Sequence, residues 1–186
     1  MTMTATTTLR VYDESNPSEL LLESSEGNRI ADELRTIGVR FERWAADATL
    51  GPGADQQTVI DAYRSSIEKL VAQCGYQSMD VVRIERGTPN TEPIRKKFLD
   101  EHQHAEDEVR FFVEGRGAFY LHVGGRVYQT ICVKGDLISV PAGTKHWFDM
   151  GANPQFTAIR LFNNPDGWVA NFTGDQIASG FPKLEN

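Results

Sequence analysis

The pattern of apolar and polar residues changes character about halfway along the chain. Between Asp55 and Gly75, apolar residues recur at intervals of three or four, which predicts one amphipathic helix. Further helices are predicted near Pro17–Glu23, over Asn28–Ile37 and over Thr91–Leu99, and a short strand over Leu9–Tyr12. We expect the stripe of the long helix to pack on the core of the fold, since that is the usual role of such a stripe.

From Val81 onward the apolar runs are short and bounded by turn residues, which is typical of strands. The predicted strands are Val81–Ile84, Val109–Val113, Ala118–Val123, Val127–Val133, Leu137–Val140, Trp147–Phe148 and Phe156–Phe162. Gly124 and Gly125 predict a tight hairpin turn. We therefore expect a single domain of 186 residues, mainly β with flanking helices. It would comprise a helix-rich segment 1–78, a barrel core 79–172 and a tail 173–186.

Composition narrows the classes of partner. The net charge of -7 disfavours binding to nucleic acid or to an anionic membrane, because both need clustered cations. No apolar stretch is long enough to span a membrane, and no export signal opens the chain. Cys74 and Cys132 lie far apart without a metal or redox motif, which indicates buried free thiols. The sequence predicts a cytoplasmic protein that acts on a small molecule.

Four residues carry the candidate chemistry: His102, His104, Glu108 and His146. On an extended segment, residues of one parity share a face, so His102, His104 and Glu108 can point the same way. Three imidazoles and one carboxylate suit Fe, Ni, Mn or Zn, whereas Mg or Ca would favour an all-oxygen set. His122 lies outside this pattern, and we interpret it as an ordinary hydrogen-bonded histidine.

The spacing of these residues resembles the paired motifs of the cupin superfamily. The first motif is matched at His102, His104, Glu108 and Gly115, and the second at Gly135, Pro141, Gly143 and His146. Two positions depart from the pattern, since Lys96 and Met150 replace its first glycine and its final asparagine. Neither is a ligand position, so the predicted metal site is unaffected.

Within that superfamily the chain resembles the acireductone dioxygenase family over nearly its whole length. The most specific stretch is KFLDEHQHAEDEVRFFVEGRGAFY, Lys97–Tyr120, and GVRFERW, VPAGTKHWFDMG and AIRLFNNPDGWVANF add to it. The resemblance implies a cupin barrel (a double-stranded β-helix, or jelly roll) with the amino-terminal helices packed outside. It also implies a monomer that binds one Fe(II) or Ni(II) per chain through the four residues above.

The activity implied by the resemblance is cleavage of the enediol 1,2-dihydroxy-3-keto-5-methylthiopentene by O2, in methionine salvage. In that family the Fe(II) form gives 2-keto-4-methylthiobutyrate and formate. The Ni(II) form gives 3-methylthiopropionate, formate and carbon monoxide. The metal would act mainly as Lewis acid and template.

Two arginines are candidate substrate contacts. Arg110 lies two residues past Glu108 on the same predicted face, where its charge would stabilise a dianionic substrate. The alternative is an internal ion pair with Glu106 or Asp107. Arg160 interrupts the apolar run AIRLF, and a cation in such a strand needs a carboxylate or a ligand as partner.

Further residues near the ligands have weaker assignments. Phe98, Phe148 and Trp168 are candidates for an apolar wall around the methylthio tail, or are plain core residues. Glu101 and Asp107 have the opposite parity to the ligands, so we expect them to orient an imidazole or to assist metal entry. Either could instead be solvated.

Two other functions use the same ligands. One is a cupin isomerase acting on a sugar or keto acid, which would not need O2. The other is a nonenzymatic metal-binding or ligand-sensing cupin. The position of Arg110 argues against the second, because a storage site has little use for a fixed cation.

Overall fold

The computed structural model describes residues 5–164 and 169–185. Its helices are α1 (Gly27–Arg35), α2 (Gln56–Ala62), α3 (Arg64–Cys74) and α4 (Thr91–Leu99), followed near the end by a 3-10 turn, Ile177–Gly180. Its strands are β1 (Thr8–Asp13), β2 (Asn16–Ser24), β3 (Arg40–Arg43), β4 (Ser78–Ile84), β5 (His102–Gln103), β6 (Glu108–Val123), β7 (Arg126–Val133), β8 (Asp136–Val140), β9 (Lys145–Asp149), β10 (Phe156–Phe162) and β11 (Asn171–Phe172).

The strands form two antiparallel sheets that share β6. The first sheet has the order β11-β5-β9-β6-β7-β1-β2, and the second has the order β4-β10-β6-β8-β3. The predicted class, mainly β and cupin-like with flanking helices, is confirmed. Among residues 5–164 and 169–185, no strand pairing closes the two sheets into a continuous ring.

Strand β6 passes from one sheet to the other by bending. The sequence predicts two strands, Val109–Val113 and Ala118–Val123, but the structure has one strand of 16 residues. Its pairing with β10 shifts register next to Val113, which is the extra residue of a bulge. Gly115 follows with a φ of 64°, and a side chain there would lie 1.8 Å from the Gln155 carbonyl oxygen. The glycine is therefore required where the strand turns between sheets.

The main core lies between the two sheets. Phe119, Leu121 and Tyr128 contribute from the first sheet, and Phe112 and Phe156 from the second. Aromatic rings fill its centre, with ring centroids of Phe112, Phe119 and Phe156 each 5.1 to 6.4 Å from that of Phe148. The space between the two sheets is therefore filled by apolar side chains here.

Helices α2 and α3 cover the outer face of the second sheet. Val59, Ile67 and Leu70 pack on strand residues that include Phe111 and Ile159. The predicted stripe and its packing role are confirmed. The single helix predicted from Asp55 to Gly75 is instead two helices, which meet at Tyr63.

One predicted helix is wrong. Residues Pro17–Glu23 lie within β2, which pairs antiparallel with β1. Leucine and glutamate favour helix, but the edge of β1 offers backbone hydrogen bonds that outweigh this weak preference. Strand β3, which the sequence did not predict, pairs with β8 at the edge of the second sheet.

The carboxy-terminal segment packs on the outer face of the first sheet. The Phe181 ring lies 5.9 Å from the rings of Tyr12 and Trp147, and Leu184 N donates to Asp149 Oδ2 at 2.9 Å. The order of this tail could not be inferred from the sequence. None of the helices in the described ranges is long and apolar enough to cross a membrane.

Candidate metal centre and active site

Strands β5 and β9 bring three histidines together. His102 on β5 is the register partner of His146 on β9, and their ring centroids are 4.5 Å apart. His104 follows β5, with its ring 5.0 Å from that of His102 and 5.1 Å from that of His146. All three are buried, and one ring nitrogen from each lies within 4.8 Å of the others. The three histidines form a metal-binding site.

Each imidazole is oriented by a backbone carbonyl. The Nδ1 atom of His102 donates to Asp100 O at 2.7 Å, that of His146 to Thr144 O at 2.7 Å, and that of His104 to Val169 O at 3.0 Å. A proton fixed on Nδ1 leaves the Nε2 lone pair for a metal, as is usual for histidine ligands in proteins. The donor set therefore fits a transition-metal ion.

Glu108, the first residue of β6, contacts two of these imidazoles. Its Oε2 lies 2.6 Å from His146 Nε2 and 3.2 Å from His104 Nε2. The other carboxylate oxygen, Oε1, lies 2.9 Å from Arg110 Nε. The structure thus brings the four predicted ligands to one place, with Arg110 beside them on the same face of β6.

Burial and charge compete at these residues. Burial lowers the pKa of His102 to about 4, so its imidazole is neutral and able to bind a metal at neutral pH. Burial also acts to lower the pKa of His104, but its hydrogen bond to Glu108 and the charge of that carboxylate outweigh it and raise the pKa. For Glu108, burial acts to raise the pKa, but the charge of Arg110 and the contacts with His146 and His104 outweigh it, and the pKa falls well below its usual range.

Arg110 is almost fully buried beneath the site. Its guanidinium lies 4.6 Å from the ring centroid of Phe148, 5.1 Å from that of Phe119 and 5.9 Å from that of Phe98. Its carboxylate partner is Glu108, rather than Glu106 or Asp107 as the alternative interpretation had it. Stacking on aromatic rings helps to hold the cation in place.

A cavity of about 510 Å³ opens onto His102 and His104. It is lined by Ser78, Met79, Asp80, Val82, Lys97, Phe98, His102, His104, Arg110, Arg160, Phe162, Ala170 and Phe172. Phe98 lines this cavity and also packs on the main core, whereas Phe148 is fully buried in that core. Trp168 lies outside the described residues. The size is within the range of small-molecule sites.

Arg160 reaches the cavity from β10 and has a carboxylate partner on β4. Its Nε donates to Asp80 Oδ1 at 2.6 Å, and a second guanidinium nitrogen donates to Asp80 Oδ2. Asp80 was not predicted as a site residue. The signal was present, because an aspartate within the strand run SMDVVRI needs a partner just as Arg160 does.

Glu101 and Asp107 act on neighbouring segments. The buried Glu101 accepts from His122 Nδ1 at 2.5 Å and from Thr173 Oγ1 at 2.7 Å. Asp107 accepts from Ala142 N at 2.9 Å, in the turn before His146. His122 also lies 2.7 Å from Glu14, which fits a hydrogen-bonded histidine outside the metal group.

The chain that carries this site can be compared with known proteins. A model described as the ARD/ARD' family matches residues 8–170. The chain belongs to this family. An acireductone dioxygenase of Enterobacter sp. (strain 638) is 57% identical over 176 residues, covering 95% of this chain and 98% of the relative. One from Stenotrophomonas maltophilia (strain K279a) is 57% identical over 94% of this chain and 95% of its own length.

A solved structure of the same family supports the fold. The acireductone dioxygenase from Bacillus anthracis, with a cadmium ion in its active centre, is 28% identical with a TM-score of 0.76. The match covers 91% of this chain and 99% of that one. The resemblance drawn from the sequence is confirmed, and with it the enzyme class: the chain is a dioxygenase of this family. Membership favours neither the isomerase nor the nonenzymatic alternative.

Proposed function

We propose that the protein cleaves acireductone, 1,2-dihydroxy-3-keto-5-methylthiopentene, with O2. The observation that carries the proposal is the group of three oriented imidazoles in contact with one carboxylate, two of them lining a cavity, in a chain of this family. His102, His104, Glu108 and His146 would hold one Fe(II) or Ni(II) ion per chain. When bound, the ion supplies Lewis-acid polarisation and a template for two substrate oxygens.

Arg110 would stabilise the enediolate. Its charge is fixed at all working pH values, it is buried, and its guanidinium is held over Phe148. A preorganised cation in a site that excludes water stabilises developing negative charge more strongly than one in solution. Arg160 would supply a second donor from the other side of the cavity, with Asp80 fixing its orientation.

The apolar residues of the cavity would receive the methylthio tail. Phe98, Phe162 and Phe172 line it, and thioethers pack well against aromatic rings. Phe148 supports this wall from behind, through its edge-on contact with Phe98. Trp168 stays a candidate from the sequence. The same rings exclude water from the charged face of the site.

Metal identity would decide the products. We propose 2-keto-4-methylthiobutyrate and formate for the Fe(II) form, and 3-methylthiopropionate, formate and carbon monoxide for the Ni(II) form. The ligand set suits both ions, since imidazole nitrogens bind each of them. These products would place the enzyme in methionine salvage.

The whole chain would work as one domain, as a monomer, in the cytoplasm. Cys132 is a buried thiol as expected, whereas Cys74, the last residue of α3, is exposed and not buried as expected. Two free cysteines support a reducing compartment.

The test is turnover of the enediol with and without oxygen. Protein loaded with Fe(II) should consume the enediol and O2 in equal amounts. Under argon, the same sample should leave the enediol unchanged. Loss of the enediol under argon would indicate an isomerase. Tight metal binding without turnover in either gas would indicate a nonenzymatic role.

A further inference from the structure

One short segment beside the metal group contacts the site at several points. Residues 169–173, here called the strap, include β11, which pairs with β5 so that Phe172 lies opposite His102. The Phe172 ring lies 5.7 Å from the His102 ring and lines the cavity, and Val169 O accepts from His104 Nδ1 at 3.0 Å. The strap therefore forms part of the cavity wall and contacts two of the three histidines.

The strap buries little apolar surface of its own. Within the described part of the chain, β11 is two residues long and is the edge strand of the first sheet. Val169 and Phe172 are 70% and 53% exposed, so apolar burial contributes little to the position of the strap. Segments with few buried contacts open locally more easily than the core of a protein does.

Thr173 ties the end of the strap to a buried carboxylate. Its Oγ1 donates to Glu101 Oε1 at 2.7 Å, and its backbone nitrogen donates to Glu101 O at 3.1 Å. Glu101 is buried and immediately precedes His102, the first residue of β5. A hydrogen bond to an ionised carboxylate is roughly twice as strong as one between neutral groups. The hydroxyl therefore anchors the strap at the point where β5 begins.

His122 fixes the same carboxylate from its other side. Its Nδ1 lies 2.5 Å from Glu101 Oε2, and its Nε2 lies 2.7 Å from Glu14 Oε2. Burial acts to lower the pKa of His122, but its hydrogen bonds to Glu14 and Glu101 outweigh this and raise the pKa. Since each oxygen of Glu101 has its own donor, the carboxylate is a fixed attachment point for Thr173.

We propose that Thr173 is a positioning residue for the substrate cavity, and that its hydroxyl holds the strap against β5 through Glu101. The effect on substrate rests on the proposed function, whereas the anchor itself does not. The complete cavity wall exists only while the strap is held, so the apparent affinity for the enediol falls with the fraction of molecules in that state. Bound enediol selects the held strap, so KM changes much more than kcat.

The first measurement is hydrogen exchange of the metal-free full chain, followed peptide by peptide. In Thr173→Val, which keeps the shape of the side chain without its hydroxyl, amides of the strap should exchange roughly tenfold faster than in wild type. This is the effect expected from the loss of one hydrogen bond to a charged group. Peptides from β6 and β7 should exchange as in wild type. Thr173→Ser keeps the hydroxyl and should restore slow exchange.

The second measurement is steady-state kinetics of the metal-loaded protein with the enediol and O2. Thr173→Val should still hold one metal ion per chain, because the proposed ligands lie outside the strap. Its KM for the enediol should rise roughly tenfold, in step with the opening of the strap, and its kcat should change by less than about threefold. Thr173→Ser should return KM toward the wild-type value.

Thr157→Val is the matched control. The Thr157 hydroxyl donates to Glu114 Oε2 at 2.7 Å, which is the same kind of hydrogen bond at the same length, on the second sheet. Neither Thr157 nor Glu114 lines the cavity. This variant should leave both the exchange of the strap and the KM unchanged.

Several results would overturn the proposal. These are wild-type exchange of the strap in Thr173→Val, faster exchange in every peptide alike, equal changes in Thr157→Val, and faster strap exchange with an unchanged KM. Thr173→Ala removes the same hydroxyl and takes the place of Thr173→Val if that variant does not fold. Failure of turnover in metal-loaded wild type would count against the proposed function instead, while hydrogen exchange still tests the anchor.

Discussion

Two buried carboxylates in this fold, Asp149 and Glu108, each pair with an arginine but have different further partners. Asp149, at the end of β9, accepts from Arg95 Nε at 2.7 Å and from a second Arg95 nitrogen at 3.0 Å. It also accepts from the backbone nitrogens of Gly151 and Leu184, each at 2.9 Å. Every partner of Asp149 is a fixed donor, so the carboxylate joins α4, β9 and the tail.

Within residues 5–164 and 169–185, the partners of Glu108 are one fixed cation, Arg110, and two imidazoles. Those imidazoles carry their protons on Nδ1, so their Nε2 atoms face the carboxylate with lone pairs unless a proton is bound there. The protein alone supplies no proton between the Glu108 carboxylate and these two lone pairs. A cation bound between the three groups would interact favourably with all of them. The comparison indicates that Asp149 serves the fold, and it supports the proposal that Glu108 is a metal ligand.

The largest effect should come from removing one imidazole of the metal group. His104→Ala should lose stoichiometric metal and reduce kcat more than about 10³-fold, because Lewis-acid stabilisation is worth several kcal/mol. Elemental analysis and oxygen uptake measure the two losses. His122→Ala is the control, since His122 pairs with Glu101 and Glu14, and it should keep its metal. Full metal content in His104→Ala would refute the ligand assignment.

The second largest effect should come from Arg110, the arginine beside Glu108, and it should be on activity. Arg110→Ala should retain metal but lower kcat by about 10² to 10³-fold, the usual cost of removing a preorganised donor to developing charge. Steady-state kinetics and metal analysis of one sample give both numbers. Arg110→Lys should recover only part of the rate, because it keeps the charge but loses the planar fork. Wild-type kcat in Arg110→Ala would remove its proposed role.

The third effect should come from Arg95, the arginine that pairs with Asp149, and it should be on stability and not on activity. Arg95→Ala leaves Asp149 buried without its cation and should lower the free energy of unfolding by about 3 kcal/mol. Urea unfolding of the metal-free protein measures this loss. The kcat of the folded, metal-loaded variant should stay near that of wild type. A large fall in kcat without a fall in stability would contradict the division between the two carboxylates.

The smallest expected effect is the loss of the stability that Asp149 contributes when the pH is lowered. Burial acts to raise the pKa of Asp149, but the hydrogen bonds from Arg95, Gly151 and Leu184 outweigh it and lower the pKa. Because the folded pKa is depressed, this stabilisation is complete above the ordinary aspartate value of about 3.9 and is lost as pH falls through the folded pKa. The stability difference between wild type and Asp149→Asn should therefore shrink only below about pH 4. A difference that shrinks between about pH 5 and 7 would point to another group.

The sequence identified the four candidate ligands because most of their spacing is local. The continuous strand expected from His102 to Glu108 is instead two strands, β5 and β6, separated by a short irregular segment. His102, His104 and Glu108 lie within seven residues, and the turn residues before His146 return the chain to the same place. It could not predict the carbonyls of Asp100, Thr144 and Val169 that orient the rings, because every residue carries a carbonyl and only tertiary structure selects three. For the same reason it predicted that Arg160 needs a partner without identifying Asp80.

The errors in the fold have a related cause. Residues Pro17–Glu23 favour helix locally, and only the neighbouring edge of β1 makes them a strand. Gly115 and Gly117 lie between the two strands predicted at Val109–Val113 and Ala118–Val123. They instead allow β6 to bend while it stays paired, because Gly115 approaches the Gln155 backbone too closely for any side chain.

The most direct test of the central claim is product analysis after reconstitution with each metal. Metal-free protein is loaded with Fe(II) or with Ni(II), supplied with the enediol and O2, and its products are separated while the gas above the solution is assayed. The account predicts one metal ion per chain in both samples, formate from both, and carbon monoxide from the nickel sample alone. Metal that fails to bind, or turnover that proceeds equally without it, would contradict the account.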